Sequence, residues 1–360
     1  MTVPANPKGA VSSSPDVDTA AGVAPDEHTK DSPAIRGLIF ARDRGLFVLF
    51  VLLVIAFSIW ADPYFAQWSN AVLIANAAAL TAVFAAGVAV GVMAGAIDIS
   101  IPGTAALAGV ICGKLVSGNN PVWLGIAVAL VVGVIVGVAN GLITLRGFNP
   151  FIVTIATLSV TSGLAEVVAG GYTIPGLSQL TFMGTRKYAG IPAPVWIVIV
   201  LFIVLTVFLT QTRDGIRFMA VGGNTEAVRR SGIRSGRYRV MGFVISGFCA
   251  ALGGLISTAV TTEASPVADP GIIFTALTAV ALAGVALTGG RGSLPRVLVG
   301  ALILATISNA LTIKGIQPYW GTVVTGLLLM VSLGVEKAVA ASVERRLVTA
   351  AQASVHSGKR

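Results

Sequence analysis

Between about residue 45 and residue 340 the sequence is a succession of apolar runs almost free of ionisable side chains. In lipid every backbone N–H and C=O must be bonded within its own segment, which leaves helices and closed barrels as spanning structures. A helix needs about 20 predominantly apolar residues to cross the hydrocarbon core. Such runs can be drawn at 45–61, 70–93, 101–117, 122–144, 149–169, 194–211, 239–261, 271–287, 295–313 and 319–338. The chain is therefore expected to be all-α, a polytopic transmembrane helical bundle of about ten spans. Only 11% of residues are charged, against about a quarter in soluble domains, and the mean hydropathy is +0.88.

The flanks differ from this centre. Residues 1–35, with "VSSSPDVDTAAGVAPDEHTKDSP", are rich in Ser, Pro, Asp and Ala without periodicity, and read as a disordered cytoplasmic tail. Their first apolar run starts too late for a signal peptide. Residues 45–340 form the transmembrane domain, and 341–360 a short basic C-terminal tail. With the N-terminus cytoplasmic, all of the 24 Lys and Arg except Lys114, Arg186, Lys187 and Lys314 fall on the inner side. That bias and an even number of spans put both termini in the cytoplasm. The net charge of +9 is thus accounted for by topology, with lipid as the surrounding partner and no nucleic acid required. Trp60, Trp68, Trp123, Trp196 and Trp320 lie near span ends, where interfacial tryptophans belong.

Several chemistries find no residues. Cys112 and Cys249 sit in apolar runs, and His28 and His356 lie in the tails. No cluster has metal-ligand spacing, so no metal site is expected. No nucleophile–base constellation lies within the spans, so the chain is not expected to be an enzyme. The polar residues inside the runs are candidates for a solute path: Asn76, Asn140, Thr154, Thr157 and Asn309, with Ser159, Thr161 and Ser246. The commoner use of such residues within spans is an interhelical hydrogen bond, and that is the first reading of each. The shortage of intramembrane charge points to a neutral polar solute. Gly87, Gly91 and Gly95, then Gly133, Gly137 and Gly141, recur every fourth residue and predict close helix packing.

One carboxylate interrupts the apolar pattern. Asp98 stands in "GVMAGAIDISIP" (91–102), which is echoed by "GVALTGGRGSLP" (284–295). Without a gap, Gly91/Gly284, Val92/Val285, Ser100/Ser293 and Pro102/Pro295 are identical. In both, a span ends, a glycine-rich break follows, and Ser-x-Pro opens the next helix, with serine as the expected N-cap. Such weakly similar halves with broken helices are a transporter pattern. This register opposes Asp98 to Arg291. Either each charge merely suits a helix end, or the two pair across the halves, or Asp98 carries a proton in an ion-coupled secondary transporter.

The polar loop "QTRDGIRFMAVGGNTEAVRRSGIRSGRYR" holds the second unusual element. Within it "GGNTEAVRRSGI" (222–233) predicts a two-turn helix capped by Asn224, closed by Gly232 in the left-handed conformation, and braced by Glu226 and Arg230. It suits either a basic topology-fixing connector or a docking helix for a cytoplasmic partner. Here the sequence resembles the ribose-type sugar permeases, the membrane subunits of bacterial ABC importers. "GGNTEAVRRSGI" is similar to their G-x-N-x-x-A-x-x-x-S-G-I motif, and "AGAIDISIPGTAALAG" to their G-G-x-D-L-S-x-G signature. "NGLITLRGFNPFIVTIATLSVTSGL" (140–164) resembles N-G-x-L…P-x-F-I-V-T-L-x-T, and "GGRGS" (289–293) resembles G-G-x-G-S. The order is the family's, over nearly the whole of 45–340. The chain departs from it after "LSVTSG", where an arginine is common and this sequence has neutral residues and then Glu166.

The resemblance implies an ABC importer permease with two weakly similar halves in the bacterial inner membrane. It implies a second permease chain, ABC ATPase subunits and an extracytoplasmic solute-binding protein as partners, with ATP and Mg on the ATPase and no cofactor in this chain. The coupling role falls on Gly223, Asn224, Glu226, Ala227, Arg230, Ser231, Gly232 and Ile233, and the signature positions are Gly95, Asp98, Ser100, Arg291 and Ser293. Independently, no G-x-x-x-x-G-K-[ST] occurs: Gly113-Lys114 and Gly358-Lys359 are followed by Leu115 and Arg360. ATP hydrolysis by a phosphate-cradling loop would need another subunit.

Overall fold

The computed structural model describes residues 33–335 and 337, with side chains from Arg44 onward. Residues up to Asp43 group apart from Arg44–Arg360, and the packing below concerns the described part of the second group. All but the last three residues of the expected N-terminal tail, and the whole of 341–360, lie outside the described residues. Those last three already belong to the first helix.

The order is α1 (Pro33–Trp60), α2 (Trp68–Met93), α3 (Ile101–Ser117), α4 (Val122–Leu145) and α5 (Pro150–Ala169). A 3-10 turn at Ser178–Leu180, the short α6 (Thr181–Gly184) and a hairpin, β1 (Lys187–Tyr188) with β2 (Ile191–Pro192), follow. Then come α7 (Ala193–Gln211), α8 (Arg213–Gly223), α9 (Thr225–Arg230), α10 (Ser235–Thr261), α11 (Gly271–Leu282), α12 (Leu294–Ile313) and α13 (Pro318–Val335). Each expected apolar run has one helix on it, although the run drawn at 271–287 is helical only to Leu282 and the end of the run drawn to 338 lies outside the described residues. Among the described residues seven helices, α2, α4, α5, α7, α10, α12 and α13, are long and apolar enough to cross a membrane. The apolar part of α1, α3 and α11 are shorter. At 1.5 Å per residue the 12 residues of α11 reach only about 18 Å, so the irregular backbone after Leu282 must be enclosed by protein.

The bundle is organised around α10. Apolar helices in lipid gain nothing from hiding apolar surface, so contact depends on how closely backbones approach. The glycines of α4 supply that approach. A Cβ on Gly133 would overlap the carbonyl of Gly247, one on Gly137 the carbonyl of Phe243, and one on Gly141 would lie 2.9 Å from Val240 Cα. On its other faces α10 meets α3, where Gly254 abuts Ala105, and α2, where Gly253 abuts the Phe84 ring and Gly87 approaches Cys249. The four-residue spacing in α4 thus seats α10, whereas of the earlier series only Gly87 does so: Gly91 faces the Ala96 carbonyl and Gly95 faces Gly222. Asn70 and Asn309 join α2 to α12: Asn309 Nδ2 donates to Asn70 Oδ1 at 2.8 Å, and Asn70 Nδ2 to the Phe65 carbonyl at 2.9 Å.

A methyl group at Gly137 has nowhere to go, whereas Gly163 has nothing within 4 Å of its Cβ position. Gly137→Ala should therefore lower stability by about 1–3 kcal/mol through overpacking, while Gly163→Ala should be neutral within about 0.5 kcal/mol. Thermal unfolding of the purified variants in detergent, followed by circular dichroism, reads the difference. Equal melting temperatures would show that α4 and α10 are not in backbone contact.

Candidate functional site

The polar connection between α7 and α10 is more ordered than a topological loop. Thr212 caps α8, its Oγ1 accepting from Gly215 N at 2.9 Å. Gly215, Phe218 and Val221 recur at helical spacing and are buried, with Phe218 meeting Phe208 edge-on at 6.1 Å between centroids. Asn224 then breaks the helix and caps α9, its Oδ1 accepting from Ala227 N at 2.9 Å. Glu226 pairs with Arg230 at 3.2 Å and with Arg229 at 2.9 Å, and Gly232 follows with φ of +79°. These exposed pairs are worth only a few tenths of a kcal/mol each. Their consequence is shape rather than strength. Tyr238 donates from its hydroxyl to Asp214 Oδ1 at 2.7 Å, and Arg239 Nη2 to Thr225 Oγ1 at 3.3 Å, fastening both helices to the start of α10. Gly223, Asn224, Glu226, Ala227, Arg230, Ser231 and Gly232 are exposed, and Ile233 is half-buried. The sequence reading had this stretch only as one short helix. It missed α8, whose apolar stripe of Gly215, Phe218 and Val221 was the available signal.

The two glycine-rich breaks are built alike at their starts. After α2, Gly95 N bonds Val92 O at 2.8 Å and Ala96 N bonds Gly91 O at 2.9 Å; after α11, Gly284 N bonds Ala281 O at 2.9 Å and Val285 N bonds Val280 O at 3.3 Å. Both are Schellman ends closed by a left-handed glycine, φ +72° and +67°. The helix starts correspond at Ser100 and Ser293, each followed by proline at the second helical position. Residues 96–99 separate the two points in the first break and 285–292 in the second, which is four residues longer. The ungapped register of the echo is therefore corrected at the helix ends, where Gly95 rather than Gly91 matches Gly284, and kept at the helix starts, where Asp98 and Arg291 each stand two residues before the serine. The proposed pair is absent, since Asp98 is buried and Arg291 is exposed without an ion pair to it.

Asp98 is instead held by its own turn. Its Oδ1 accepts from Ser100 N at 2.9 Å and from Ser100 Oγ at 2.6 Å. Asn140 on α4 donates from Nδ2 to Ser100 Oγ at 3.0 Å and accepts at Oδ1 from Thr157 Oγ1 of α5 at 2.6 Å. A buried chain, Thr157–Asn140–Ser100–Asp98, thus ties the first break to α4 and α5. Ser100 does not cap α3 through its side chain, contrary to expectation: its hydroxyl donates to Asp98 and accepts from Asn140 instead. Ser293 likewise stands before α12 without a side-chain cap bond. Ser246 of α10 adjoins the carboxyl group, yet Asp98 Oδ2 and Ser246 Oγ are both buried with no hydrogen-bond partner.

A cavity of about 1030 Å³ lies between α2, α3, α10, α11, α12 and α13. Its walls carry hydroxyl groups of Thr81, Ser257, Thr258, Thr275, Ser308 and Thr325, and two acids, Glu263 and Asp269. No basic side chain lines it among the described residues.

Residues 70–333 match the family described as branched-chain amino acid transport system / permease component. The chain belongs to that permease family. It is 32% identical to the ribose import permease protein RbsC of Haemophilus influenzae over 303 residues, 82% of this chain and 93% of the relative. It is 32% identical to the L-arabinose transport system permease protein AraH of Escherichia coli over 292 residues, 80% and 88%. To the D-allose transport system permease protein AlsC of Escherichia coli it is 29% identical over 302 residues, 83% and 93%. No solved structure matches this permease significantly. It is a multi-pass membrane protein, and these relatives are import or transport-system permease proteins for sugars.

None of the eight residues expected along a solute path lines the permease's large cavity. Asn140 and Thr157 belong to the Asp98 chain, Thr154 donates to the Phe151 carbonyl, and Asn309 is bonded to Asn70. Asn76 borders a smaller pocket of about 430 Å³ beside Trp68 and the β1–β2 hairpin. The sequence signal missed in the cavity was hydroxyl residues on the small-residue faces of α2 and α10.

Unsatisfied buried polar atoms cost about 1–3 kcal/mol each. In Asp98→Asn the side-chain oxygen keeps both Ser100 bonds and the new NH2 stands where Oδ2 was, able to donate to Ser246 Oγ. This variant should melt at or above the parent temperature, whereas Asp98→Ala should lose about 1–3 kcal/mol or more, by thermal unfolding in detergent. If Asn proves as damaging as Ala, the charge itself is required there.

Proposed function

We propose that this chain is the permease subunit of a bacterial ABC importer for a sugar or similar small polar solute. The observation that carries this reading is the pair of capped helices α8 and α9, fastened to α10 and presenting the coupling residues on an exposed surface. In this reading 213–237 faces the cytoplasm and receives an ABC ATPase subunit, which binds ATP and Mg and does the hydrolysis. The arginines of that segment, Arg213, Arg217, Arg229, Arg230, Arg234 and Arg237, agree with a cytoplasmic placement and with both termini inside.

The cavity supplies the solute path. Its volume is at the upper end of the roughly 300–1,000 Å³ usual for ligand pockets. Hydroxyl-bearing walls can exchange hydrogen bonds with a polyhydroxylated solute, and the absence of a lysine or arginine among them suits a neutral one. The similarity to ribose, L-arabinose and D-allose permeases supports a sugar over an ion. A solute-binding protein delivers the sugar from outside, and a second permease chain completes the path.

Purification from its native membrane in mild detergent should bring down a P-loop ATPase in stoichiometric amount, identified by mass spectrometry, and scrambling "NTEAVRRSG" (224–232) should release it. A chain that purifies alone and moves solute in liposomes under a proton or sodium gradient would overturn the importer reading in favour of an ion-coupled transporter using Asp98. Within the importer, Ser257→Trp should narrow the cavity and cut sugar uptake by about tenfold or more, a loss of roughly 1.4 kcal/mol or more, while the ATPase still co-purifies. Uptake unchanged by the tryptophan would move the solute path elsewhere.

A further inference from the structure

Three segments distant in sequence meet backbone to backbone at the end of α8. They are Met93–Gly95 after α2, Gly222–Gly223 closing α8, and Gly289–Gly290 in the longer of the two breaks. Gly290 N donates to the Met93 carbonyl at 3.1 Å. A Cβ on Gly222 would overlap that same carbonyl and stand 2.8 Å from Gly290 N. One on Gly289 would lie 2.7 Å from the Gly222 carbonyl and 3.1 Å from that of Val92; one on Gly290 would strike Gly223 Cα. Gly289 and Gly290 also need their positive φ, +93° and +74°. The contact therefore admits no side chain on any of these three glycines, and no flexible group lies between the backbones to absorb a displacement.

The four additional residues of the second break explain the reach. The short break at 96–99 is folded back on itself by Asp98 and Ser100, whereas 285–292 extends far enough to touch both α8 and the end of α2.

We propose that Gly289–Gly290 is a strap that couples the docking helices to both glycine-rich breaks at once, with Gly222, Gly289 and Gly290 as positioning residues. A close-packed contact shifts as a unit rather than deforming gradually. Movement of α8 and α9 therefore reaches the α2–α3 break and the α11–α12 break together, and through the Asp98 chain it continues to α4 and α5. This inference rests on the reading that an ATPase docks on α8 and α9.

The test uses the assembled complex of permease, ATPase and binding protein in nanodiscs and proteoliposomes. Gly222→Ala and Gly290→Ala should leave basal ATP hydrolysis within about twofold but reduce sugar uptake and its stimulation by about tenfold, within the roughly 5–150-fold range of coupling between sites. Gly45→Ala, where the added methyl meets nothing within 4 Å, controls for the substitution. In the otherwise native chain, thiol labelling of Ile99→Cys and Thr288→Cys should change on adding a non-hydrolysable ATP analogue at both positions, and in the Gly222→Ala background at neither. This labelling also decides the case in which the glycine variants fail to assemble, because it is read first with all three glycines intact. Uptake within twofold of the parent in Gly222→Ala, or a response at one break without the other, overturns the strap. A parent complex that neither hydrolyses ATP nor imports sugar overturns the importer reading itself, and the strap with it.

Discussion

Backbone-to-backbone contact between helices is the interaction on which the rest of this structure depends. In lipid there is no water to expel from between apolar helices, so their association relies on van der Waals contact at short range. Gly133, Gly137 and Gly141 let α4 approach α10 until carbonyls of α10 fill the space a side chain would occupy. Because α10 also carries Gly247, Gly253 and Gly254, it can be that close to α2, α3 and α4 at once. Leucines at these positions would keep every helix apolar and membrane-compatible, yet hold the helices apart. The polar elements described above are positioned by that proximity.

Irregular backbone is the second requirement. Seven residues separate α2 from α3, and the second break, between α11 and α12, is longer, so each leaves peptide groups without helical partners. Both breaks begin with a Schellman end, which satisfies the last carbonyls locally. The first then uses Asp98 to bond Ser100 twice, and Ser100 to reach Asn140. An acid inside an apolar bundle is tolerated here because it closes a turn whose neighbours are polar, rather than because a basic partner balances it. The second break has no such acid. It satisfies itself through Ala286 N to the Arg291 carbonyl at 3.1 Å and through Gly290 N to Met93 at 3.1 Å, and so depends on the other half.

The helices were legible because a spanning segment must be apolar along its whole length, and every run drawn from the sequence has a helix on it. The capping of α9 was legible because Asn224, Glu226, Arg230 and Gly232 act over short sequence distances. What lay beyond reach acts over long ones. Asp98 and Arg291 keep the same place before Ser100 and Ser293, yet one is buried and the other exposed, and only the hydrogen bonds at Gly95 and Gly284 reveal that the register shifts by four residues at the helix ends. Asn140, Thr157 and Asn309 read first as helix–helix bonds and second as solute contacts; the first reading holds, but their partners, Ser100 and Asn70, are distant in sequence and could not be named from it. α8 was hidden for another reason. Its arginines and glycines give a polar average, and its burial against Phe208 and α10 is a tertiary fact. Gly222 illustrates the same limit, since the coupling role was assigned to Gly223 while the position that admits no side chain against Met93 is the residue before it.

That displacement of one residue bears on how the docking surface relates to the membrane part. Gly223 and Asn224 are exposed, and Gly222 is half-buried against Met93 and Gly290. The chain therefore passes from a surface a partner can touch to a contact that excludes side chains within two residues. Asn224 makes this transition abrupt. By ending α8 and capping α9 it turns the chain, so α9 projects while the end of α8 stays wedged. Two short helices meeting at a break give a rigid arm on each side of a fixed point. A single continuous helix through 213–230 would need the same capping residues nowhere, and its exposed and wedged faces would alternate every turn instead of being separated along the chain.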